Sequence, residues 1–451
     1  MNSTLIPPWL CVPFAGLLLC VAVLPLVHEK WWETHRIPVV IFWILAFVLP
    51  YAALYGAGEA AGIVLESILN DYLSFIIMLL GLFCVAGNIT FREDLAGSPR
   101  VNLLFIAVGT LLSSIIGTTG SSMLMVRPLI KMNSWRRRKK HIMIFFIFLV
   151  SNMGGCLTPL GDPPLLMGFM RGVPFLWSLH LFPILAFNMV LMLTLFWLID
   201  NHQYKKDMAE GLRPKITRLW TELELEGAHN LLFLLVIIAA VVLSGTLPAL
   251  DAFRNPDGTA KGIRFLGEVT LAWPTVIEIV MILAAAFLSF RTTPERIRRT
   301  NHFTWGPILE VAELFIGIFI TMQPALMLLK ELGPKLGLSE PWEMFWVTGM
   351  LSSVLDNTPT YLVFLTTAGT LGLTGGILTS VGDIPVQLLE AISCGAVFMG
   401  AITYIGNAPN FMVKSISDEN GIRMPSFFGY ILWSLACLVP VFLADTLVFF
   451  L

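Results

Sequence analysis

Charge is what this 451-residue chain has least of. Asp, Glu, Lys and Arg make up 13% of it, and 28 basic against 30 acidic side chains leave a net charge of −2. That excludes nucleic acid as a partner, since phosphate recognition needs a basic surplus. Cysteine is scarce too. The six (Cys11, Cys20, Cys84, Cys156, Cys394, Cys437) all fall inside apolar segments without metal-ligand spacing, and read as small packing residues. No HExxH zinc pair and no GxSxG elbow occurs. The one approach to an intramembrane aspartyl protease motif, Pro159-Leu160-Gly161-Asp162, has proline in place of the first glycine. No enzyme and no bound cofactor is expected. His28, His35, His141, His202, His229 and His302 fall at expected ends or loops and His180 near a span start, so none reads as a ligand.

What the chain has in abundance is apolar surface. Hydrophobic residues are 56% of it and the mean hydropathy is +0.80, the composition of a polytopic membrane protein. The start, MNSTLIPPWLCV, has no basic n-region, so the run from Trp9 reads as a membrane helix rather than a cleaved signal. Spans are expected at about 9–27, 37–56, 72–90, 141–175, 178–199, 229–247, 273–290, 306–330, 386–416 and 427–451. Two further pairs, 101–116 with 121–133 and 343–355 with 359–371, have arms of about 13–16 residues. At ~1.5 Å per residue such arms fall short of the ~30 Å hydrocarbon core. They read as re-entrant hairpins, leaving about ten full crossings. Residues 58–71, with Glu66 and Asp71, read as an amphipathic surface segment.

One stretch organises the rest. Val150–Phe169, VSNMGGCLTPLGDPPLLMGF, lies where a membrane helix should run unbroken. Its three prolines and three glycines cannot stay helical, because proline removes an amide donor and clashes with the preceding turn. Open backbone at membrane depth survives only inside protein or against a watered cavity. Polar side chains at such a break mark an ion or substrate site.

The halves repeat where they are most polar. Ser113–Leu124 aligns with Ser352–Val363 at an offset of 239, and Leu157–Leu166 with Ile402–Phe411 at 245. Gly81–Phe83 aligns with Gly317–Phe319 at 236. With the N-terminus outside, the inner loops 28–36, 91–100, 134–140, 200–228, 291–305 and 414–426 hold 20 Lys/Arg against 6 on the other side. By that count the hairpins enter from opposite sides, the mark of an inverted repeat. The run Arg136–Lys140 reads as a topology signal. The chain divides into an N-terminal helix at 1–36, a first repeat at 37–200, a linker region at 201–272 and a second repeat at 273–451. The fold class is all-α and polytopic, with two hairpins and two broken helices.

The hairpin tips are Gly117–Ser122 and Asp356–Thr360. The breaks contribute Asn152, Thr158, Gly161 and Asp162 in one half, and Thr403, Gly406, Asn407 and Asn410 in the other. Their hydroxyls and amides suit a hard cation such as Na⁺, though the same residue types also cap interrupted helices. Asp162 and Asp356 differ in kind. A carboxylate at membrane depth costs roughly 2.5–3.5 kcal/mol, which a cation, a proton or a partner must offset. Glu278, Glu310, Glu313 and Glu390 are weaker candidates, and Asp445, near an outer end, has no expected role.

With Asn152-x-Gly-Gly-x-x-Thr-Pro-x-Gly-Asp-x-Pro and Leu355-Asp356-Asn357-x-Pro359 in view, the chain resembles the ion transporter superfamily over roughly residues 37–451. That group includes NhaD-type sodium/proton antiporters, citrate-family carboxylate transporters and dicarboxylate/sodium symporters. The likeness is to the NhaD type above all, and implies Asn152, Asp162, Asp356 and Asn357 as ion-site residues, joined here by Thr119, Thr158, Thr358 and Asn407. It also implies a homodimer with a scaffold part and a moving part. The Ser-Asn-Thr tips of dicarboxylate symporters are replaced by Gly-Thr-Thr and Asp-Asn-Thr. The expected activity is Na⁺/H⁺ antiport in a bacterial inner membrane, with Asp162 and Asp356 holding Na⁺ transiently. Na⁺- or H⁺-coupled transport of citrate, a dicarboxylate or another anion is the alternative.

Overall fold

Helices carry nearly all of the architecture. The computed structural model describes residues 6–92, 95–213, 224–255, 259–266, 269–301 and 303–451. Residues 1–5, the middle of the 200–228 linker and His302 lie outside them. The strands among the described residues form three short antiparallel ribbons in loops: Thr90–Arg92 with Glu224–Glu226, Gly262–Arg264 with Thr270–Ala272, and Ile377–Thr379 with Gly382–Ile384. Nine helices there are long and apolar enough to cross a membrane, or ten if the bent pair Gly306–Thr321 and Gln323–Leu332 is one span. A helix satisfies its own backbone, which lipid cannot do. This is an all-α, multi-pass membrane protein.

The membership of that set departs from the sequence-based expectation in three places. Pro99–Ile116, the first hairpin arm, has 18 residues and qualifies as a span, whereas Val386–Ile402 is too short. Ser98 explains the longer arm: its Oγ accepts from Val101 N, and Pro99 opens the helix where no amide is needed. Residues 58–71 do not stand apart from the following span. Ala57–Glu66 passes through the π-helical turn Ser67–Tyr72 into Leu73–Gly87, giving one apolar helix of 31 residues. It can continue because Asp71 is not left bare: Arg171 Nη2 donates to it at 2.9 Å and Gln323 Nε2 at 3.3 Å. Gln323 itself stands where the helix pair bends by 41°, beside Pro324, the sequence cue for that bend.

Burial separates inside from outside. Of an 18-residue stretch, 94% is buried in Lys140–Leu157 but 17% within Lys30–Tyr55. Every residue from His141 to Cys156 and from Ala391 to Gly400 is buried. The two broken segments therefore form the centre, and the unbroken helices Glu29–Tyr55, Asn230–Thr246 and Trp273–Thr292 present apolar faces outward.

The basic run does more than mark topology. Arg136 is buried and donates to Asp200 and, at 3.3 Å, to Asp207, while Arg138 donates to Asp207 at 2.9 Å and to Glu210. His141 pairs with Asp200 at 2.8 Å, and Asn102 Nδ2 donates to the same carboxylate at 3.0 Å. Asn102 and Asn133 exchange amide hydrogen bonds. This network ties the base of the first hairpin to the helix Phe182–Ala209. At its exposed rim, the hydrogen bond from Arg138 holds Glu210 below the usual carboxylate range.

Candidate functional site

Each half builds the same local frame. The first hairpin comprises Pro99–Ile116 and Thr118–Met132, the second Pro341–Ser352 and Asn357–Gly369. The first break lies between Lys140–Leu149 and Pro163–Met170, the second between Val386–Met399 and Ala408–Glu419. Serine and threonine hydroxyls pin hairpin to break. Thr158 Oγ1 donates to Ser114 O and Thr403 Oγ1 to Ser353 O, both at 2.5 Å. Ser113 Oγ donates to Val150 O at 2.7 Å, and Ser352 Oγ to Ala396 O at 2.6 Å. The glycines are there because backbone touches backbone. A Cβ on Gly161 would lie 2.1 Å from Gly155 O, and one on Gly406 2.6 Å from Gly400 O.

At the centre sits Asp162, 1% exposed. It is the N-cap of Pro163–Met170, whose prolines at the first positions need no amide partner. Its side chain does not cap that helix; it faces three donors from three other elements. Thr118 Oγ1, at the first hairpin tip, donates to Oδ1 at 2.9 Å. Asn357 Nδ2, at the second tip, donates to Oδ2 at 2.7 Å. Asn407 Nδ2, in the second break, donates to Oδ1 at 3.2 Å. Thr118 N also donates to Gly161 O at 2.8 Å, seating the tip on the break.

An amide chain extends the cluster. Asn407 Nδ2 also reaches Asn152 Oδ1 at 3.3 Å and Ser151 O at 3.2 Å. Asn152 Nδ2 donates to Asn410 Oδ1 at 2.7 Å, and Asn410 Nδ2 to Gly400 O and Thr403 O. Asp162, Asn152, Asn357 and Asn407 are thus brought together. Thr158 joins hairpin to break rather than meeting the carboxylate. Thr358 is buried and Oγ1 donates to Asn357 Oδ1 at 3.4 Å. Thr119 is half-buried, and its neighbour Thr118 makes the bond to Asp162. Asp356 is half-buried and caps its helix, Oδ1 accepting from Thr358 N at 2.9 Å. It makes no hydrogen bond to Asp162 among those described, but is close enough for the two carboxylates to feel each other's charge.

Among the other acids, Glu313 binds Arg36 and Glu310 lies 3.7 Å from it, forming a separate ion cluster. Glu278 is buried and Glu390 half-buried, and neither hydrogen-bonds to Asp162. Asp445, expected to be inert near an outer end, is fully buried. Thr118 and Asn410 are the site residues that sequence reading ranked too low. Asn410 had a visible signal, an amide three residues past Asn407 and so on one face of a short helix.

The electrostatics are specific. Asp162 and Asn407 are the N-caps of Pro163–Met170 and Ala408–Glu419, while Thr118 and Asn357 are the first residues of Thr118–Met132 and Asn357–Gly369. Four helix N-termini, each partly positive, meet at one carboxylate. Among the described residues no Lys, Arg or His hydrogen-bonds to it. Among the described residues no three His, Cys, Asp or Glu side chains gather to hold a metal. A cation entering here would be held by one carboxylate with amide, hydroxyl and carbonyl oxygens, a donor set suited to hard ions.

A buried carboxylate among helix breaks in a multi-pass protein defines the class: a membrane transporter. The family model described as "Putative citrate transport" matches residues 3–450, so the chain belongs to that citrate-transporter family. No curated protein matches it.

Proposed function

We propose that the protein is a secondary active transporter that carries citrate or a related carboxylate together with a cation, H⁺ or Na⁺. The site centred on Asp162 would be exposed alternately to each side by two inverted repeats. One observation carries the reading: the cluster offers four helix N-termini and neutral donors, yet its charged group is an aspartate to which no basic side chain among the described residues is bonded. Helix N-termini favour an anion. A multiply charged anion beside an uncompensated carboxylate is repelled unless a cation enters with it. Coupling follows from that electrostatic requirement.

Na⁺/H⁺ antiport without an anion is the second reading. It draws on the likeness of Asn152–Pro164 and Leu355–Pro359 to NhaD-type antiporters, and on the departure of both tips from the symporter pattern. There Asp162 and Asp356 would hold Na⁺ and H⁺ in turn. A homodimer in a bacterial inner membrane, N-terminus outside, completes either scheme. The test is reconstitution into vesicles holding a pH dye, with Na⁺, Li⁺, K⁺, citrate and succinate added in turn. Proton or Na⁺ movement that requires citrate or succinate supports symport. Proton release on adding Na⁺ alone, with citrate without effect, overturns it in favour of antiport.

A further inference from the structure

Two aspartates stand at matching places in the two halves and are held differently. Asp200 lies in Phe182–Ala209, which follows the first break, and Asp445 ends Val439–Asp445, which follows the second. They are 245 residues apart, the same spacing as the breaks. Both are fully buried. Asp200 accepts from the Arg136 guanidinium, the His141 ring and the Asn102 amide. Among the described residues Asp445 has only an amide: Asn188 Nδ2 donates to its Oδ1 at 2.8 Å.

That amide is fixed in orientation. The same nitrogen donates to Ile184 O at 2.9 Å, so turning the group over would set an oxygen against both a carbonyl and a carboxyl oxygen. Two buried oxygens are then left without a donor, Asp445 Oδ2 and Asn188 Oδ1. An ionised carboxylate only accepts, so a charged Asp445 leaves both unsatisfied and buries a charge with no opposite charge bonded to it. A single proton on Oδ2 supplies the missing donor, since an acid that accepts from an amide at one oxygen can donate to the amide oxygen from the other.

We infer that Asp445 with Asn188 is a proton-binding site, separate from the Asp162 cluster: Oδ2 holds the proton and donates it to Asn188 Oδ1. Among the described residues the other titratable group close enough to feel its charge is Cys394, in Val386–Met399, which in turn feels Cys156 and Glu390. Trp346 Nε1 is already engaged with Thr446 Oγ1 beside it. Among the described residues no Lys, Arg or His hydrogen-bonds to Asp445.

Infrared difference spectra of the full-length protein in lipid test this. At neutral pH, wild type minus Asp445→Asn should show loss of one un-ionised carboxylic acid C=O band, with carboxylate bands unchanged. Wild type minus Asp200→Asn should show the opposite. Loss of carboxylate bands in Asp445→Asn overturns the proposal, as does a carboxylate seen in Na⁺ medium that becomes an acid only when Na⁺ is replaced by choline. The amide keeps the acceptor oxygen and puts an N–H where the neutral acid has its O–H, with one further N–H that the acid lacks. Asp445→Asn should therefore still fold, and a variant that fails to fold counts against the proposal.

Discussion

The two helix breaks share a backbone and differ in charge. Asp162 takes φ −146° and ψ 140°, and Asn407 takes φ −151° and ψ 138°. Each precedes a proline-opened helix, each follows a glycine pressed against another glycine's carbonyl, and each break is tied to its hairpin by a threonine. Only the last atom of the side chain separates a carboxylate from an amide. The hairpin tips reverse the assignment, with Gly117 in the first half where Asp356 stands in the second. A repeated frame can hold position, but identical charges at its centre would face each other and could not both ionise. The halves supply complementary groups: Asn407 and Asn357 from the second donate to Asp162 from the first.

The hardest test of that complementarity is exchange of the two side chains. Asp162→Asn should abolish cation-coupled transport in vesicles while the protein still inserts and folds, because the amide keeps the shape and loses the charge. Asn407→Asp alone should also abolish it, by setting two carboxylates within hydrogen-bonding distance. If the frames are equivalent, the double exchange Asp162→Asn with Asn407→Asp should regain measurable transport above either single variant. Wild-type rates in Asp162→Asn would remove this carboxylate from the mechanism.

Donor removal should cost less. A hydrogen bond to a charged group contributes about 1.5–3 kcal/mol, so Thr118→Val should weaken coupling-ion affinity by roughly 10- to 100-fold. Thr119→Val should leave it near wild type. Equal losses in the two variants would mean that Thr118 is not the particular donor the geometry indicates. Asp356→Asn separates cap from charge, since asparagine caps a helix as well as aspartate does. Lost transport in a variant of unchanged stability would assign Asp356 an electrostatic role.

The effect of pH comes next in size. If a proton and the coupling cation contest one carboxylate, apparent Na⁺ affinity should improve as pH rises, by up to about tenfold per unit while one proton is displaced. Transport assayed over a pH series reads this directly, and a flat profile would break the competition.

The smallest effects concern the frame. Thr158→Val and Thr403→Val each remove one hydroxyl-to-carbonyl hydrogen bond, worth about 0.5–1.5 kcal/mol. Thermal unfolding in detergent should show modest losses of similar size for the two. A large loss in one half only would mean that the two joints are not mechanically equivalent.

Local chemistry in the sequence was enough for the class of protein and for the places where its helices stop. Proline and glycine act on their own backbone, so the breaks at Asn152–Asp162 and Thr403–Asn407 and the turns at Gly117 and Asp356 were legible without a fold. So were the apolar spans and the demand that Asp162 find partners. What only the tertiary structure decided is which partners it finds. Thr118 and Thr119 are adjacent on one helix and point about 100° apart, a difference set by how the hairpin seats on Gly161 O. Asp71, Asp200 and Asp445 are exposed or interfacial by position in the chain, and buried where Arg171, Arg136 and Asn188 arrive from other segments to meet them. Side-chain burial is a property of the whole packing, and a residue's own neighbours in sequence do not carry it.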